Sequence, residues 1–367
     1  MKEHVYLDYN ATCPLRPGVR EAILEVLDLP GNASSIHMHG REARKKVEHA
    51  RKQIAELIGA NQEKITFNSG ATEGNNTIMH AYAPQGVLVS AIEHPCIINL
   101  EHSMALVDVT EDGVIDLDHF EEMISKSPPP LLASVMMVNN ETGVIQPLKE
   151  IVEISHNRGI KVHTDATQAV GRMNIDLFLL NADYMTLSSH KIGGPQGIGA
   201  LITTNDIEPP VLFHGGGQEK SRRAGTENIP GIVGFGAAAE HARKNLEKYA
   251  TLKNEQAYLE SELKKLNEDI IIYGENVDRV HNTTCFSIPG ANAETMLIAF
   301  DLDGISLSSG SACSSGKVSH SHVLKAMGAG DEELKGALRL SYGWATTREH
   351  IDQFLNAAEK IIKRVRN

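Results

Sequence analysis

Two hydrophobic periods alternate along the chain. Short apolar runs rich in Val, Ile, Leu and Met lie at 64–67, 86–90, 133–138, 160–164, 182–187 and 199–203, and these read as strands. Between them, apolar positions fall three or four residues apart. Over 39–58 the residues Ala43, Val47, Ala50, Ile54, Leu57 and Ile58 share one helical face, and Gly59 supplies the stop. Further helices are expected at 18–27, 72–82, 95–104, 118–125 and 147–157. Strand and helix in turn, with strands too apolar to have a wet face, predict a mostly parallel α/β sheet covered on both sides.

The pattern changes near residue 232. A long, mostly polar helix over 232–266, too polar to be core all round, is expected to lead into a second lobe. That lobe reads as α+β, with strands at 270–273, 283–288 and 337–341 and helices at 294–301, 320–327 and 347–364. At the other end, 6–14 is a short extended piece stopped by Pro14. A chain of 367 residues is long enough for two domains, or for one domain with a smaller lobe.

In covered parallel sheets, ligands bind at the carboxyl ends of the strands. This sequence concentrates its polar residues there: His94, Asn139-Asn140-Glu141, Asp165 with Gln168, and Ser188-Ser189-His190-Lys191. The strand at 64–67 runs into Asn68-Ser69-Gly70-Ala71-Thr72, a turn and helix start that offers free N–H groups and a hydroxyl to an anion. It lacks the full nucleotide-loop and dinucleotide patterns, so a single phosphate monoester is the expected guest. Lys191, delivered by a buried strand beside hydroxyls, suits a Schiff base with pyridoxal 5'-phosphate; a phosphate-contacting or structural lysine is the other reading. Asp165 at a buried strand end needs a cationic partner, and a pyridinium nitrogen is one; capping the next helix is a compatible role. Gln168 is placed to reach the cofactor's phenolic oxygen. His94 can stack on the ring and exchange protons.

The four cysteines, Cys13, Cys96, Cys285 and Cys313, include no CxxC pair, which argues against a zinc ribbon or a disulfide framework. Cys13, next to Pro14, reads as a packing residue. Cys313 sits in Ser308-Ser309-Gly310-Ser311-Ala312-Cys313-Ser314-Ser315-Gly316, with nothing large around it, and is the candidate nucleophile. Arg339, among apolar neighbours, needs an anion, and a substrate carboxylate suits its fork. The irregular loop 30–35, which contains Asn32, is of a kind that often carries function. His37 and His39 have no companion cluster and are expected to be loop and helix-start residues rather than metal ligands. A net charge of -12 argues against a nucleic-acid backbone as partner. No apolar run is long enough for a bilayer and the start lacks a secretory signal, so a cytoplasmic location is expected.

NSGATEGNN, VNNETGVIQP, HTDATQAVGR, SSHKIGGPQGIGAL, RRAGTEN and SSGSACSSG, in this order, resemble the NifS/IscS-type cysteine desulfurases of the class V branch of fold-type I pyridoxal-phosphate enzymes. The resemblance runs from Tyr6 to about Ile351. It implies a large domain, 15–248, with a mostly parallel seven-stranded sheet. A smaller α+β domain would combine 1–14 with 249–367 and carry a mobile cysteine loop at about 306–318. It also implies a homodimer with shared active sites.

Carried over by motif, Lys191 is the cofactor-linked lysine and Cys313 the nucleophile that takes up sulfur as a persulfide, with His94 as a third catalytic group. Ala71, Thr72, Ser188 and His190 hold the phosphate, joined by Thr226 of the partner chain. Asp165, Gln168, His94 and Asn140 contact the rest of the cofactor, and Asn32, Asn140 and Arg339 contact the substrate. No resident metal is implied, although Cys313 is a possible transient ligand of an iron–sulfur cluster. The implied reaction converts L-cysteine to L-alanine, with sulfur passing to an acceptor protein such as an iron–sulfur scaffold or a thiolation enzyme. Two features depart from the pattern: the sequence stops soon after the last expected helix, and Trp344 stands where many relatives have a basic residue. The alternatives are a selenocysteine lyase or another class V enzyme, and a non-catalytic sulfur-relay protein. The long Ser/Gly loop and the joint presence of Lys191 and Cys313 argue against them.

Overall fold

The strand order of the main sheet is Ile65–Asn68, Gly199–Thr203, Tyr184–Ser188, Lys161–Asp165, Leu132–Ser134, Val87–Ser90, Ala105–Val107. The last five are parallel, and Gly199–Thr203 runs against both of its neighbours. This sheet belongs to a computed structural model that describes residues 4–100, 104–204, 207–309 and 320–365. The expected mostly parallel, seven-stranded α/β sheet is present. Every residue of Tyr184–Ser188 and Gly199–Thr203 is buried, which is why those segments read as unbroken apolar runs.

Several elements differ from expectation, among them the strand expected over 133–138, which is the shorter Leu132–Ser134. The helix expected over 95–104 is a single turn, Pro95–Ile98, and a short strand, Ala105–Val107, follows at the sheet edge. Three residues are too few to show a period. The polar helix expected over 232–266 is two helices, Ile229–Lys244 and Leu246–Leu266, which meet at Asn245 where φ is -122° and ψ 16°. The first of them is not a polar link. Its Ile232, Phe235, Ala238 and Ala239 belong to the main core, and it packs along Met38–Ile58. Gly236 permits this approach, since a Cβ there would meet Ala50 Cα at 2.6 Å. In the second lobe, a short helix, Asp331–Lys335, joins the expected elements.

A four-stranded sheet runs Ser308–Ser309, Ala337–Ser341, Thr283–Ser287, Ile271–Ile272, all antiparallel, over a core that includes Leu259, Phe286, Phe300, Leu338 and Phe354. The chain start crosses to it: Val5–Tyr6 pairs in parallel with Ile305–Ser306. This crossing brings Asn10 to the middle of the molecule. Its amide donates to Asn140 O at 3.0 Å and Thr283 Oγ1 at 2.9 Å, and its Oδ1 accepts from Arg172 at 2.8 Å.

A buried ion pair ties the Gly-rich segment to the main sheet. Arg51 Nη1 and Nη2 donate to the two carboxylate oxygens of Glu219 at 2.9 and 2.8 Å, and Phe67 N–H donates to the same carboxylate at 2.8 Å. The guanidinium lies 4.7 Å from the Phe67 ring centroid. Both side chains are under 5% exposed (3% and 4%), so removing one leaves the other charged and dry. Arg51→Met is therefore expected to lower the unfolding free energy by about 3–5 kcal/mol in guanidinium titrations. A loss below about 1 kcal/mol, the range of exposed pairs, would show that Glu219 finds solvent instead.

Candidate active site

A cavity of about 520 Å³ opens at the carboxyl ends of the parallel strands. Ala71, Thr72, His94, Asn140, Asp165, Gln168, Ser188, His190, Lys191 and Arg339 all line it. Strand Tyr184–Ser188 ends in one tight turn, Ser189–Ile192, which swings the lysine inward. Gly193 closes the turn at φ 83°, and a Cβ there would sit 2.9 Å from Pro14 O. Lys191 Nζ donates to the carbonyls of Asn10 at 2.5 Å and Ala11 at 2.9 Å. These two backbone carbonyls orient the amine.

At one end of the cavity, helix Ala71–Tyr82 begins after Gly70, with no side-chain cap. The first N–H groups of a helix lack intrahelical acceptors, so Ala71, Thr72 and Glu73 offer theirs to an anion. His190 Nδ1 lies 3.1 Å from Thr12 Oγ1. Burial, aided by the Lys191 charge, pulls the His190 pKa down to about 4, so the ring is neutral at pH 7.

Asp165, which also lines the cavity, is 5% exposed. Asn75 Nδ2 donates to its Oδ2 at 2.7 Å and Thr167 N–H to its Oδ1 at 2.9 Å. Both donors are neutral. His94 caps the turn Pro95–Ile98 through Nδ1, which accepts Cys96 N–H at 3.2 Å and leaves Nε2 as the protonated nitrogen. Its pKa is lowered, chiefly by burial and also by Lys191 and His322, against the pull of Asp165.

Arg339 is 2% exposed. Its anionic partner within the chain is Asp8, with Nη2 2.8 Å from Asp8 Oδ1, and Nη1 donates to Asn140 O at 3.1 Å. The need for a counter-ion is thus met by Asp8, and burial alone does not demand a substrate carboxylate. Arg339 Nε is buried without a partner among the described residues, as are Asn140 Oδ1 and Gln168 Oε1. Gln168 Nε2 donates to Asn10 O at 3.1 Å. Asp8, Asn10, Asn75 and Arg172 are structural partners of the site that sequence reasoning missed. Each lies within a quoted motif or the opening extended piece, yet their contacts reach across 90 to 331 residues.

Other expected site residues are not brought into this cavity. Asn32 is exposed, and its Oδ1 accepts Ser34 N–H at 2.8 Å. Thr226 is exposed and lines an adjoining recess that shares Ser69 and Gly197 with the main cavity. Cys313 lies outside the described residues. The other cysteines are held as thiols. Burial raises Cys13, whose Sγ–H donates to Lys191 O at 3.0 Å, pushes Cys96 up to about 12, and raises Cys285 further. Among the described residues no group of three or more His, Cys, Asp or Glu side chains is disposed to hold a metal.

These groups fit pyridoxal 5'-phosphate. The start of helix Ala71–Tyr82 offers N–H donors and hydroxyls, Lys191 an amine held by backbone carbonyls, and Asp165 a carboxylate held by two neutral donors. The Gln168, Asn140 and Arg339 atoms without partners among the described residues supply further polar contacts.

Comparisons with known proteins agree. The family model for aminotransferase class-V matches residues 5–354. The cysteine desulfurase IscS of Dictyoglomus turgidum is 38% identical over 384 aligned residues, covering 100% of this chain and 96% of the relative. A cysteine desulfurase of Nostoc sp. is 37% identical, covering 99% and 94%. Among solved structures, a NifS-like protein from Rickettsia africae superposes with a TM-score of 0.92 at 39% identity, covering 98% of this chain and 100% of that one. SspA in complex with cysteine gives 0.76 at 29%, covering 92% and 98%.

Proposed function

The chain belongs to the aminotransferase class-V family, and from that premise we propose that it is a pyridoxal-phosphate-dependent cysteine desulfurase. The observation that carries the cofactor assignment is the meeting of Lys191, Asp165 and the start of helix Ala71–Tyr82 in one cavity. When bound, pyridoxal 5'-phosphate supplies an electron sink for charge formed at the substrate's Cα. Lys191 is its covalent attachment. Ala71, Thr72, Ser188 and His190 grip the phosphate together with Thr226 of a second copy. Asp165 would hold the pyridine nitrogen, Gln168 would reach the phenolic oxygen, and His94 would lie beside the ring.

The remaining roles fall to the chain's own groups. Arg339 Nε and Asn140 Oδ1, buried and without partners among the described residues, orient the amino acid. Lys191 Nζ accepts and returns the proton at the substrate's Cα, and neutral His94 offers its Nε2–H as a donor beside it. The Cys313 thiolate attacks the sulfur of L-cysteine. An S–S bond forms as the substrate C–S bond breaks, and the released electron pair is taken up with a proton to give L-alanine. L-cysteine and the Cys313 thiol thus become L-alanine and a Cys313 persulfide. Assignment to Cys313 rests on the state of the other three cysteines, which burial keeps as thiols.

This reading includes a homodimer, a division into 15–248 and 1–14 with 249–367, and an acceptor that takes the sulfur from Cys313. A cytoplasmic location belongs to the same proposal; among the described residues no helix is long and apolar enough to cross a membrane. The test supplies L-cysteine or L-selenocysteine to purified protein and measures alanine together with persulfide on Cys313. Alanine and persulfide from L-cysteine are expected. Alanine from the selenium substrate alone would overturn the desulfurase reading in favour of a selenocysteine lyase.

A further inference from the structure

The segment that leads to Thr226 is built with strain. Glu219, Lys220 and Ser221 have φ of 46°, 58° and 63°, three consecutive non-glycine residues in the left-handed region. Such a turn persists only where its surroundings over-determine it, and the buried Arg51–Glu219 pair does so. What the turn delivers is Arg223. Its Nε donates to Glu73 Oε1 at 3.0 Å, its Nη2 lies 3.4 Å from Glu73 Oε2, and its guanidinium stands 5.5 Å from the Phe213 ring centroid.

Glu73 occupies the first turn of helix Ala71–Tyr82 and lines the cavity. Its Oε2 also accepts Ser69 N–H at 2.8 Å. A carboxylate there complements the helix dipole, but it sets a negative charge beside the N–H groups that receive an anion. At contact distance that repulsion is felt even where solvent screens part of it. Burial pushes the Glu73 carboxyl up, yet hydrogen bonds from Arg223 and Ser69 and the Arg223 charge bring it below its ordinary value, so Glu73 is ionised at neutral pH.

We infer that Arg223 is a positioning residue for the cofactor's phosphate: by neutralising Glu73 and holding it toward Ser69, it makes the start of helix Ala71–Tyr82 receptive to a phosphate dianion. The inference rests on the pyridoxal-phosphate reading. Arg223 acts through Glu73, so its importance depends on the charge at position 73. A merely structural arginine would not have that dependence.

The test titrates the full-length protein, stripped of cofactor, with pyridoxal 5'-phosphate and with pyridoxal, which has the ring and aldehyde but no phosphate. Arg223→Gln is expected to weaken the phosphate form about tenfold and pyridoxal less than about twofold. Adding Glu73→Gln to Arg223→Gln restores the phosphate form to within about threefold of wild type, and Arg223→Lys, which keeps the charge, stays in the same range. The proposal is overturned if Arg223→Gln weakens both compounds alike, if it weakens neither, if the double variant is no better than the single one, or if Arg223→Lys is as weak as Arg223→Gln. A wild-type protein that binds neither compound would instead refute the cofactor reading, an outcome seen before any variant is compared.

Discussion

Lys191→Ala protein is expected to lose at least about a thousandfold in alanine formation, and its cofactor should no longer become fixed to the chain on borohydride reduction. Replacing the lysine removes both the covalent attachment and the amine that moves the Cα proton. The side-chain amine donates to two backbone carbonyls, at 2.5 and 2.9 Å. The non-covalent grip should survive, because the helix N–H donors and Asp165 are untouched, so Lys191→Ala protein still takes up cofactor, more weakly. The measurement pairs absorbance with intact mass after reduction. A cofactor-sized mass addition in the variant would show that a different amine carries the cofactor.

The same lysine shows what the sequence made legible. Lys191, Asp165, His94 and Asn140 were readable because each ends a buried apolar run, and a covered parallel sheet sends all such ends to one edge. The partners that hold them were not readable. Asp8 reaches Arg339 and Asn10 reaches Arg172 across the molecule, through a start segment whose own pattern shows only that it is extended. Helix Ile229–Lys244 misled for another reason. Its Gly and Ala residues count as neither strongly apolar nor polar, yet small size is what lets it press against Met38–Ile58. Arg339 is a partial case: its burial among apolar neighbours correctly signalled an anion, and the anion is supplied by the chain.

Cys313→Ser protein should keep the cofactor's colour and its affinity while losing at least about a thousandfold in sulfur release from L-cysteine. The separation follows from the division of roles, since no group placed at the cofactor is changed, whereas the atom that attacks the substrate sulfur is replaced by a hydroxyl that stays protonated at neutral pH. Rescue by another cysteine is not expected. Cys13 is buried against the Lys191 carbonyl, and Cys285 is fully enclosed in strand Thr283–Ser287. Cys96 does line the cavity, beside Asp165, and that position works against it: burial first, and then the neighbouring carboxylate, raise its pKa to about 12. At pH 7 that leaves about one thiolate in a hundred thousand, against a few per cent for an ordinary cysteine. Sulfide and alanine would be measured together on the coloured variant. Persulfide found on Cys96, with alanine formed at a rate near wild type, would move the nucleophile into the cavity and end the assignment to Cys313.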